Sequence, residues 1–432
     1  MAKPLRVGIA GLGTVGASVV ELLRANGPAL AARAGRPIEV VRAASRTPKP
    51  DLGLDAVFDT DLKSLASDDV DVLVELIGGD TMARDIVARA LDAGQHVVTA
   101  NKALLAAFGG ELFDKAEQGN LALGFEAAVA GGIPIINALR NGLAANEVDV
   151  LAGIVNGTSN YILTAMEDDG WSFADALAEA QRLGYAEADP TFDIEGIDAA
   201  QKLAILAALA FDTDIDFTGV HVEGISQVDI EDIRYARELG FSIKHLGIAR
   251  LTDAGVEARV HPALVPDTLL LAKVAGVMNA VMVHGSAVGP TLYVGPGAGG
   301  MPTASAVVAD LVEVARGTHT VPRAPERCLR SLPIDGVACP HYLKIPAIDQ
   351  PGVFAEVADI LSRHDISIEA VIQRPQAIRA GAEPWVPIVI LTDDVAETVV
   401  EDSVAELGRL PGVTGTITRI RVADLGAMMP AA

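Results

Sequence analysis

The chain has 432 residues, half of them hydrophobic, which is enough to bury more than one core and excludes a disordered chain. Its formal charge of −24 argues against binding to nucleic acid or to an anionic membrane surface, because both usually require a basic face. Cys328 and Cys339 are the only cysteines, so we expect reduced thiols rather than a disulfide or a zinc site. No segment resembles a signal peptide or a membrane span, and we therefore expect a cytoplasmic protein.

The first part of the chain alternates apolar strands with amphipathic helices. Strands are predicted at 5–10, 38–45, 70–77, 96–99 and 121–125, and helices at 15–26, 81–93 and 104–118. Continuous apolar runs are typical of strands that are buried on both faces. The pattern predicts an α/β fold that begins with a Rossmann-type, doubly wound parallel sheet over residues 1–145.

From about residue 145 the sequence pattern changes to longer helical patterns and further β-branched runs. This predicts a middle α+β domain with a mixed sheet over 146–302, ending in a glycine-rich loop. A helix follows over about 303–320. Residues 323–340 are rich in proline and charge and are predicted to form a linker. The last unit, 341–424, has the order βαββαβ, which predicts a separate ferredoxin-like domain.

The sequence GLGTVG at 11–16 lies between a predicted strand and a predicted helix, as a dinucleotide-binding loop requires. The first glycine permits a tight turn, the second lets backbone approach a pyrophosphate, and the third lets the helix pack on the strand. We therefore expect Gly11, Gly13, Thr14, Val15 and Gly16 to bind a dinucleotide. The alternative is a glycine-rich turn that binds no ligand.

The second predicted strand ends in SRTPK at 45–49, without the acidic residue that usually binds the ribose hydroxyls of NAD. Arg46 stands there instead, and a guanidinium can pair with the 2′-phosphate of NADP. We therefore expect Arg46 to bind NADP as the cofactor, with NAD possible. The alternative is that Arg46 is a solvated loop charge.

Thr99 and Lys102 follow at the carboxyl end of the strand predicted over 96–99. Ligands of such sheets bind at this edge, where a lysine can meet a phosphate or a developing oxyanion. We expect both residues to contact the cofactor. On position alone, an ordinary surface lysine explains Lys102 equally well.

Asp198 and Lys202 are spaced i,i+4 on a predicted helix that is otherwise strongly apolar, so both lie on one face. A buried lysine beside a carboxylate can donate a proton, with a pKa that is set by burial and by its partner. The alternative is a surface salt bridge. The apolar character of the helix favours a pair that faces a cleft.

The sequence EAAVAGGI at 126–133 places Glu126 before a loop of small residues. Such a loop can offer a carboxylate and backbone carbonyls to a monovalent cation, because hard cations prefer oxygen ligands. From the residues alone, a tight turn between a strand and a helix is the better explanation.

Together these motifs resemble the homoserine dehydrogenase family over essentially the whole chain. The resemblance is carried by GLGTVG and by five further segments: TANKALL at 99–105, FEAAVAGGIPII at 125–136, NGTSNYIL at 156–163, GYAEADPTFDIEGIDAAQK at 184–202 and GPGAGGMPTASAV at 295–307. The last of these returns the chain to the nucleotide domain. The C-terminal unit resembles an ACT domain through DQPGV at 349–353.

The resemblance implies a reversible, NAD(P)-linked interconversion of L-aspartate 4-semialdehyde and L-homoserine, in the biosynthesis of threonine, methionine and isoleucine. It implies Lys202 as the acid/base and Asp198 as the residue that orients it. Lys102 would lie between cofactor and substrate. Glu187 would bind the substrate's amino group, with Asp193 nearby.

The resemblance also implies a monovalent cation, Na⁺, held by Glu126 and by the backbone of Val129, Gly131 and Ile133. It implies a homodimer through the middle domain, or a homotetramer. Threonine is the effector that the ACT resemblance favours, with isoleucine, methionine or a purely structural module as alternatives.

Two other functions remain open from the sequence. Another semialdehyde dehydrogenase would need a different substrate constellation, and one that forms a thiohemiacetal would need a nucleophilic cysteine, whereas Cys328 and Cys339 fall in the predicted linker. A non-catalytic nucleotide sensor with an ACT module would keep the glycine motif but need not keep Asp198 and Lys202.

Overall fold

The computed structural model describes residues 2–318, 321, 327–374, 385–423 and 425. A parallel sheet covered by helices comes first, a mixed sheet with helices follows, and a βαββαβ unit ends the described chain. This architecture confirms the predicted fold class.

The N-terminal region is a sheet of six parallel strands. Its elements are β1 (Leu5–Ala10), α1 (Thr14–Ala34), β2 (Ile38–Ala44), β3 (Val57–Asp59), β4 (Val72–Glu75), α2 (Thr81–Asp92), β5 (His96–Thr99), α3 (Lys102–Gly119) and β6 (Leu123–Gly124). The strand order is β3-β2-β1-β4-β5-β6. The order reverses between β1 and β4, so their carboxyl ends border the crevice in which such sheets bind ligands.

Helix α1 runs to Ala34 rather than ending near residue 26, although Pro28 lies inside it. The proline removes one backbone hydrogen bond. Leu30 and Ala34 are nevertheless buried against the sheet. Their burial explains why the helix continues, because tertiary packing supplies most helical stability in proteins.

The middle region is built on the antiparallel strand order β12-β11-β7-β9-β10, to which shorter strands add in parallel. Its strands are β7 (Val148–Ile154), β8 (His221–Val222), β9 (Phe241–Thr252), β10 (Gly255–Pro266), β11 (Met278–Gly285) and β12 (Gly289–Pro296). Its helices are α4 (Ile135–Asn137), α5 (Gly157–Asp169), α6 (Phe173–Arg182), α7 (Thr191–Ile194), α8 (Ile197–Phe211) and α9 (Ile230–Glu238). Helix α8 is a core element, since eleven of its 15 residues are buried.

Helix α10 (Gly300–Arg316) returns the chain to the nucleotide domain, where it packs along α1. The contact is close at its first turn. A Cβ on Gly300 would lie 2.6 Å from Ser18 Oγ and 3.1 Å from a methyl carbon of Thr14. The glycine-rich loop that precedes α10 therefore ends beside the N-terminus of α1.

The C-terminal unit has the strand order β19-β15-β17-β16, which is that of a ferredoxin-like sheet. The last elements of the chain are β13 (Ser331–Leu332), β14 (Ala338–Cys339), β15 (His341–Ile348), α11 (Val353–Arg363), β16 (Ile368–Gln373), β17 (Trp385–Thr392), β18 (Val395–Ala396), α12 (Glu397–Leu407) and β19 (Thr418–Val422). The sequence predicts a separate unit, but β19 pairs in parallel with β10 and so joins both regions in one eleven-stranded sheet. This pairing covers backbone groups on β10 that a sheet edge would leave unpaired.

The described part of the predicted linker contains short strands. Residues 322–326 lie outside the described residues, but β13 pairs with β10, and β14 pairs with β18. The described remainder of the linker is therefore tied to both neighbouring regions. Within the described parts of the chain, no helix combines the length and the apolar character that a membrane span requires.

Candidate active site

The glycine motif has the shape of a pyrophosphate-binding loop. Gly11 adopts a φ of 98°, and a Cβ there would lie 2.7 Å from a backbone oxygen of the loop after β4. A Cβ on Gly16 would lie 2.1 Å from the carbonyl oxygen of Gly11. Gly13 faces open space instead, and no side chain caps the N-terminus of α1, where Thr14 and Val15 begin the helix. The loop therefore fits an anion beside free N–H groups.

Arg46 lies just beyond the end of β2 and is exposed. It makes no hydrogen bond or ion pair with any other residue that the structure describes. Its guanidinium is thus accessible to a ligand at the edge of the sheet. Its predicted pairing with a 2′-phosphate stays a prediction.

Thr99 shapes the turn that carries Lys102. The Thr99 hydroxyl is fully buried, donates to Glu75 Oε2 at 2.6 Å and accepts from the backbone N–H of Asn101 at 3.0 Å. Asn101 in turn caps helix α3 through the N–H of Leu104. The side chain of Thr99 is therefore engaged within the protein, and its contact with a cofactor stays a prediction.

Lys202 and Asp198 form the centre of the site. Lys202 Nζ donates to Asp198 Oδ2 and to the carbonyl of Val155, both at 2.7 Å. Lys102 Nζ lies 3.1 Å from the other oxygen of Asp198. Burial alone would raise the pKa of Asp198, but the charges of the two lysines lower it to about 2. Because Asp198 is 5% and Lys202 9% exposed, the pair is not a surface salt bridge.

Asn156 connects this centre to a second carboxylate. Its amide nitrogen donates to Asp193 Oδ1 and to Asp198 Oδ2, both at 2.8 Å. The hydroxyl of Thr158 lies 3.2 Å from Asp193 Oδ2. Burial and the neighbouring charge of Asp198 raise the pKa of Asp193, while the hydrogen bond from Asn156 lowers it. Two carboxylates of different electrostatic character are thus held by one amide.

Glu187 lies outside this hydrogen-bonded cluster. It is exposed, and its carboxylate pairs with no other described residue. The amide of Gln181 donates to the carbonyl of Glu187 at 3.0 Å, which holds the backbone of the loop. The carboxylate itself is left available to a ligand.

Glu126 lies in a tight loop, as the residues alone suggest. It is 4% exposed, and its carboxylate accepts two backbone N–H groups of α4 at 2.8 and 2.9 Å. Burial raises the pKa of Glu126. Val129, Gly131 and Ile133 follow around Ala130, which has a φ of 50°. The described residues contain no group of three or more His, Cys, Asp or Glu side chains that could hold a metal, so any cation here would depend on backbone carbonyls.

Three family models match the chain. The model of the homoserine dehydrogenase NAD-binding domain matches residues 11–126, that of homoserine dehydrogenase 134–312, and that of the ACT domain 341–412. Homoserine dehydrogenase of Pseudomonas aeruginosa is 50% identical over 435 residues, which cover 98% of this chain and 100% of that protein. The chain belongs to the homoserine dehydrogenase family.

Solved structures agree with this assignment to the homoserine dehydrogenase family. The crystal structure of a homoserine dehydrogenase from Thiobacillus denitrificans has a TM-score of 0.93 at 49% identity and covers 98% of this chain and 99% of that one. A hyperthermophilic archaeal homoserine dehydrogenase in complex with NADPH has a TM-score of 0.62 at 26% identity and covers 74% of this chain and 100% of that one. The predicted family and the predicted class, an NAD(P)-dependent oxidoreductase with an ACT domain, are confirmed.

Sequence reasoning missed three residues of this homoserine dehydrogenase site. Asn156 could have been found as a helix cap, because asparagine is favoured at the N-cap position; its side chain accepts the Ser159 N–H of α5 at 2.8 Å. Thr158 has no such signal. The ring of Phe192 has its centroid 5.6 Å from Lys102 Nζ, a contact between distant segments that no periodicity predicts.

Proposed function

We propose that Lys202 exchanges the proton in the reversible interconversion of L-aspartate 4-semialdehyde and L-homoserine. The observation that carries this proposal is the way in which the lysine is held. An ammonium has three donors. Asp198 and the Val155 carbonyl use two of them, which leaves one donor to point at a substrate oxygen.

The reacting groups follow from this geometry. When bound, the reduced nicotinamide supplies the hydride that converts the aldehyde carbon to an alcohol carbon. Lys202 stabilises the negative charge that grows on the aldehyde oxygen and delivers a proton to it. In the opposite direction the neutral lysine accepts the hydroxyl proton. Asp198 is a positioning residue, and Lys102 supplies a second positive charge on the side of the nucleotide domain.

The substrate's ammonium is proposed to bind Glu187 and Asp193. Asp193 shares the amide of Asn156 with Asp198, so a cation bound to it is held close to the reacting pair. The exposed carboxylate of Glu187 has no competing ion pair among the described residues. An exposed acid and a half-buried acid could then hold the ammonium between them.

NADP is the proposed cofactor, with NAD as the alternative. Arg46 is exposed where the 2′-phosphate of a nucleotide would lie on a doubly wound sheet, and no acidic residue ends β2. The archaeal relative in complex with NADPH supports this choice.

A monovalent cation, Na⁺, is proposed at the loop after β6. The oxygen donors present suit a hard cation. Glu126 and the backbone carbonyls of Val129, Gly131 and Ile133 would hold it, and it would offset the buried negative charge of Glu126. It is proposed to support the loop and to take no part in proton transfer.

Threonine is proposed as the effector, acting on a homodimer or homotetramer. The ACT domain supports regulation by an amino acid. At its first helix, Gly352 adopts a φ of 102° and no side chain caps α11, so the first N–H groups are accessible to a carboxylate. Inhibition by threonine would place the enzyme in the biosynthesis of threonine, methionine and isoleucine.

The substitution Lys202→Met tests the proposal. Turnover of homoserine, followed by the absorbance of the reduced nicotinamide, should fall roughly 10²–10⁴-fold while the cofactor still binds. A matched control is Lys244→Met, because Lys244 is also buried and donates to a backbone carbonyl, that of Val274, at 3.1 Å. The control should lose stability and keep its turnover. If the Lys202 variant kept more than about a tenth of the rate, the assignment would be wrong.

A further inference from the structure

Glu223, in the loop after β8, is bound by a buried arginine of the ACT domain. Arg421 Nη1 and Nη2 lie 3.0 and 2.8 Å from the two oxygens of Glu223. The same guanidinium donates to Glu397 at 2.8 and 2.6 Å. Arg421 is 1% exposed, and removing one partner of such a buried pair leaves an uncompensated charge. The position of Glu223 is therefore set by the ACT domain.

A second contact with the ACT domain holds the same loop a few residues later. Lys344, on β15, lies 2.5 Å from Asp229 and 2.9 Å from Asp232 at the N-terminus of α9. The hydroxyl of Tyr342, on the same strand, donates to Asp232 at 3.0 Å. Asp232 is fully buried. The segment 223–232 is thus anchored to β15 and β19 at both of its ends.

Between these anchors, the segment packs on the turn 194–196, which joins Asp193 to Asp198 along the chain. The N–H of Ile225 donates to the carbonyl of Ile194 at 2.8 Å. There is no spare room at this contact. A Cβ on Gly224 would lie 2.3 Å from a carboxylate oxygen of Glu195 and 2.7 Å from the Ile194 carbonyl. A shift of the segment would therefore move the turn.

His245 closes the remaining side of the turn. Its Nε2 donates to the carbonyl of Glu223 at 2.9 Å. A Cβ on Gly196, the N-cap residue just before α8, would lie 3.1 Å from the imidazole ring. The segment and the N-cap of α8 are thus packed against one buried side chain.

We propose that the Arg421–Glu223 pair positions the turn that joins Asp193 to Asp198, so that the ACT domain sets the affinity of the site for its amino-acid substrate. The inference rests on the proposed roles of Asp193 and Lys202. Arg421 and Glu223 are positioning residues, because both act through the turn 194–196. The effect is specific to the substrate, since the segment packs on this turn rather than on the glycine motif of the nucleotide domain.

Three substitutions in the full chain test this proposal. Glu223→Gln keeps the shape of the side chain and removes its charge, whereas Arg421→Lys keeps the charge and loses the bidentate contact. Gly224→Ala places a methyl group directly against the turn. Each should raise the KM for homoserine about five- to tenfold. The KM and the Kd of the nicotinamide cofactor should change less than about twofold.

Two controls match these variants. Glu406→Gln breaks the 2.7 Å ion pair with Arg363, which lies within the ACT domain and away from the segment 223–232. Gly336→Ala adds a methyl group where no heavy atom lies within 4 Å. Both should leave the two KM values unchanged. The double variant of Glu223 and Arg421 should raise the KM for homoserine no more than the stronger single variant, because the two act as one unit.

The outcomes separate this inference from the proposed function. Lower melting temperatures with an unchanged KM for homoserine would show that the pair is only structural and would overturn the inference, as would additive effects in the double variant. If Lys202→Met is inactive while the three variants are normal, the inference fails and the proposed function stands. An active Lys202→Met variant overturns the proposed function itself. If Arg421→Lys does not fold, the Glu223 and Gly224 variants decide.

Discussion

Lys102 Nζ lies 3.1 Å from Asp198 Oδ1, although Lys102 begins a helix of the nucleotide domain and Asp198 lies in the first turn of a helix of the middle domain. One buried carboxylate therefore pairs with two lysines, one from each domain. The side chain of Lys102 is 28% exposed and that of Lys202 is 11% exposed. The two cations are thus unequal, and the lysine of the nucleotide domain is the more accessible one.

The substitution Arg46→Ala should weaken NADP more than NAD. A charge-assisted hydrogen bond to a phosphate contributes roughly 1.5–3 kcal/mol to binding. NAD has no 2′-phosphate, so its binding does not depend on this hydrogen bond. Titration of each cofactor by fluorescence measures both affinities. Lys49→Ala, three residues further along the same exposed loop, is the comparison. Equal weakening of the two cofactors would show that Arg46 does not recognise the 2′-phosphate.

The substitution Glu187→Ala should raise the KM for homoserine and leave that for NADP nearly unchanged. The reason is that the exposed carboxylate is proposed to bind the substrate's ammonium and not the cofactor. Steady-state kinetics with each substrate varied in turn give both constants. Glu179→Ala removes a partly exposed acid that is already paired with Arg182, and it should change neither. A shift in the NADP constant as large as that for homoserine would contradict the role.

Acid should destabilise the chain partly through Glu397. Burial would raise the pKa of this carboxyl, but hydrogen bonds from His341 and Arg421 lower it to about 2 from its ordinary 4.5. A group with a lowered pKa contributes stability that is present above pH 4.5 and is lost as the pH falls toward 2. The contribution is at most on the order of 3 kcal/mol.

Thermal unfolding of Glu397→Gln beside the unsubstituted chain measures this. The difference between their melting temperatures should be constant above about pH 5 and should shrink below about pH 4.5. Glu401→Gln is the control on the same helix, because the Glu401 side chain is 56% exposed and lies 3.6 Å from Arg419. A difference for Glu397→Gln that does not depend on pH would contradict the expected ionisation.

Threonine should bind the intact protein and inhibit it. Coupling between an effector site and an active site is typically worth about 1–3 kcal/mol, which corresponds to a five- to 150-fold change in apparent affinity. Calorimetry and initial rates, with isoleucine and methionine as comparison ligands, measure binding and inhibition. The intact chain is required, because β19 of the ACT domain pairs with β10 of the middle domain. If no threonine bound at millimolar concentration, the proposed regulatory role would be wrong.

Local patterns were enough to predict several parts of the molecule. The strands over 5–10 and 96–99 follow from apolar runs that end in turn residues, and the structure gives them the same bounds. The spacing of Asp198 and Lys202 predicts their contact, because an i,i+4 pair shares one face of any helix. Asn156 was missed as part of the site, because a helix-capping residue carries no sign that its amide also reaches two carboxylates.

The sequence by itself determined the order of the three regions, the glycine loop and the central pair on α8, since each depends on neighbours within one turn or one strand. Only the tertiary structure decided that Lys102 meets Asp198 and that Arg421 meets Glu223, 198 residues away along the chain. It also decided that the ACT domain shares its sheet with the middle domain. The physical reason is that the edge of a strand can pair with any strand, and a charged side chain with any opposite charge. The packing of the whole molecule selects which partner each of them meets.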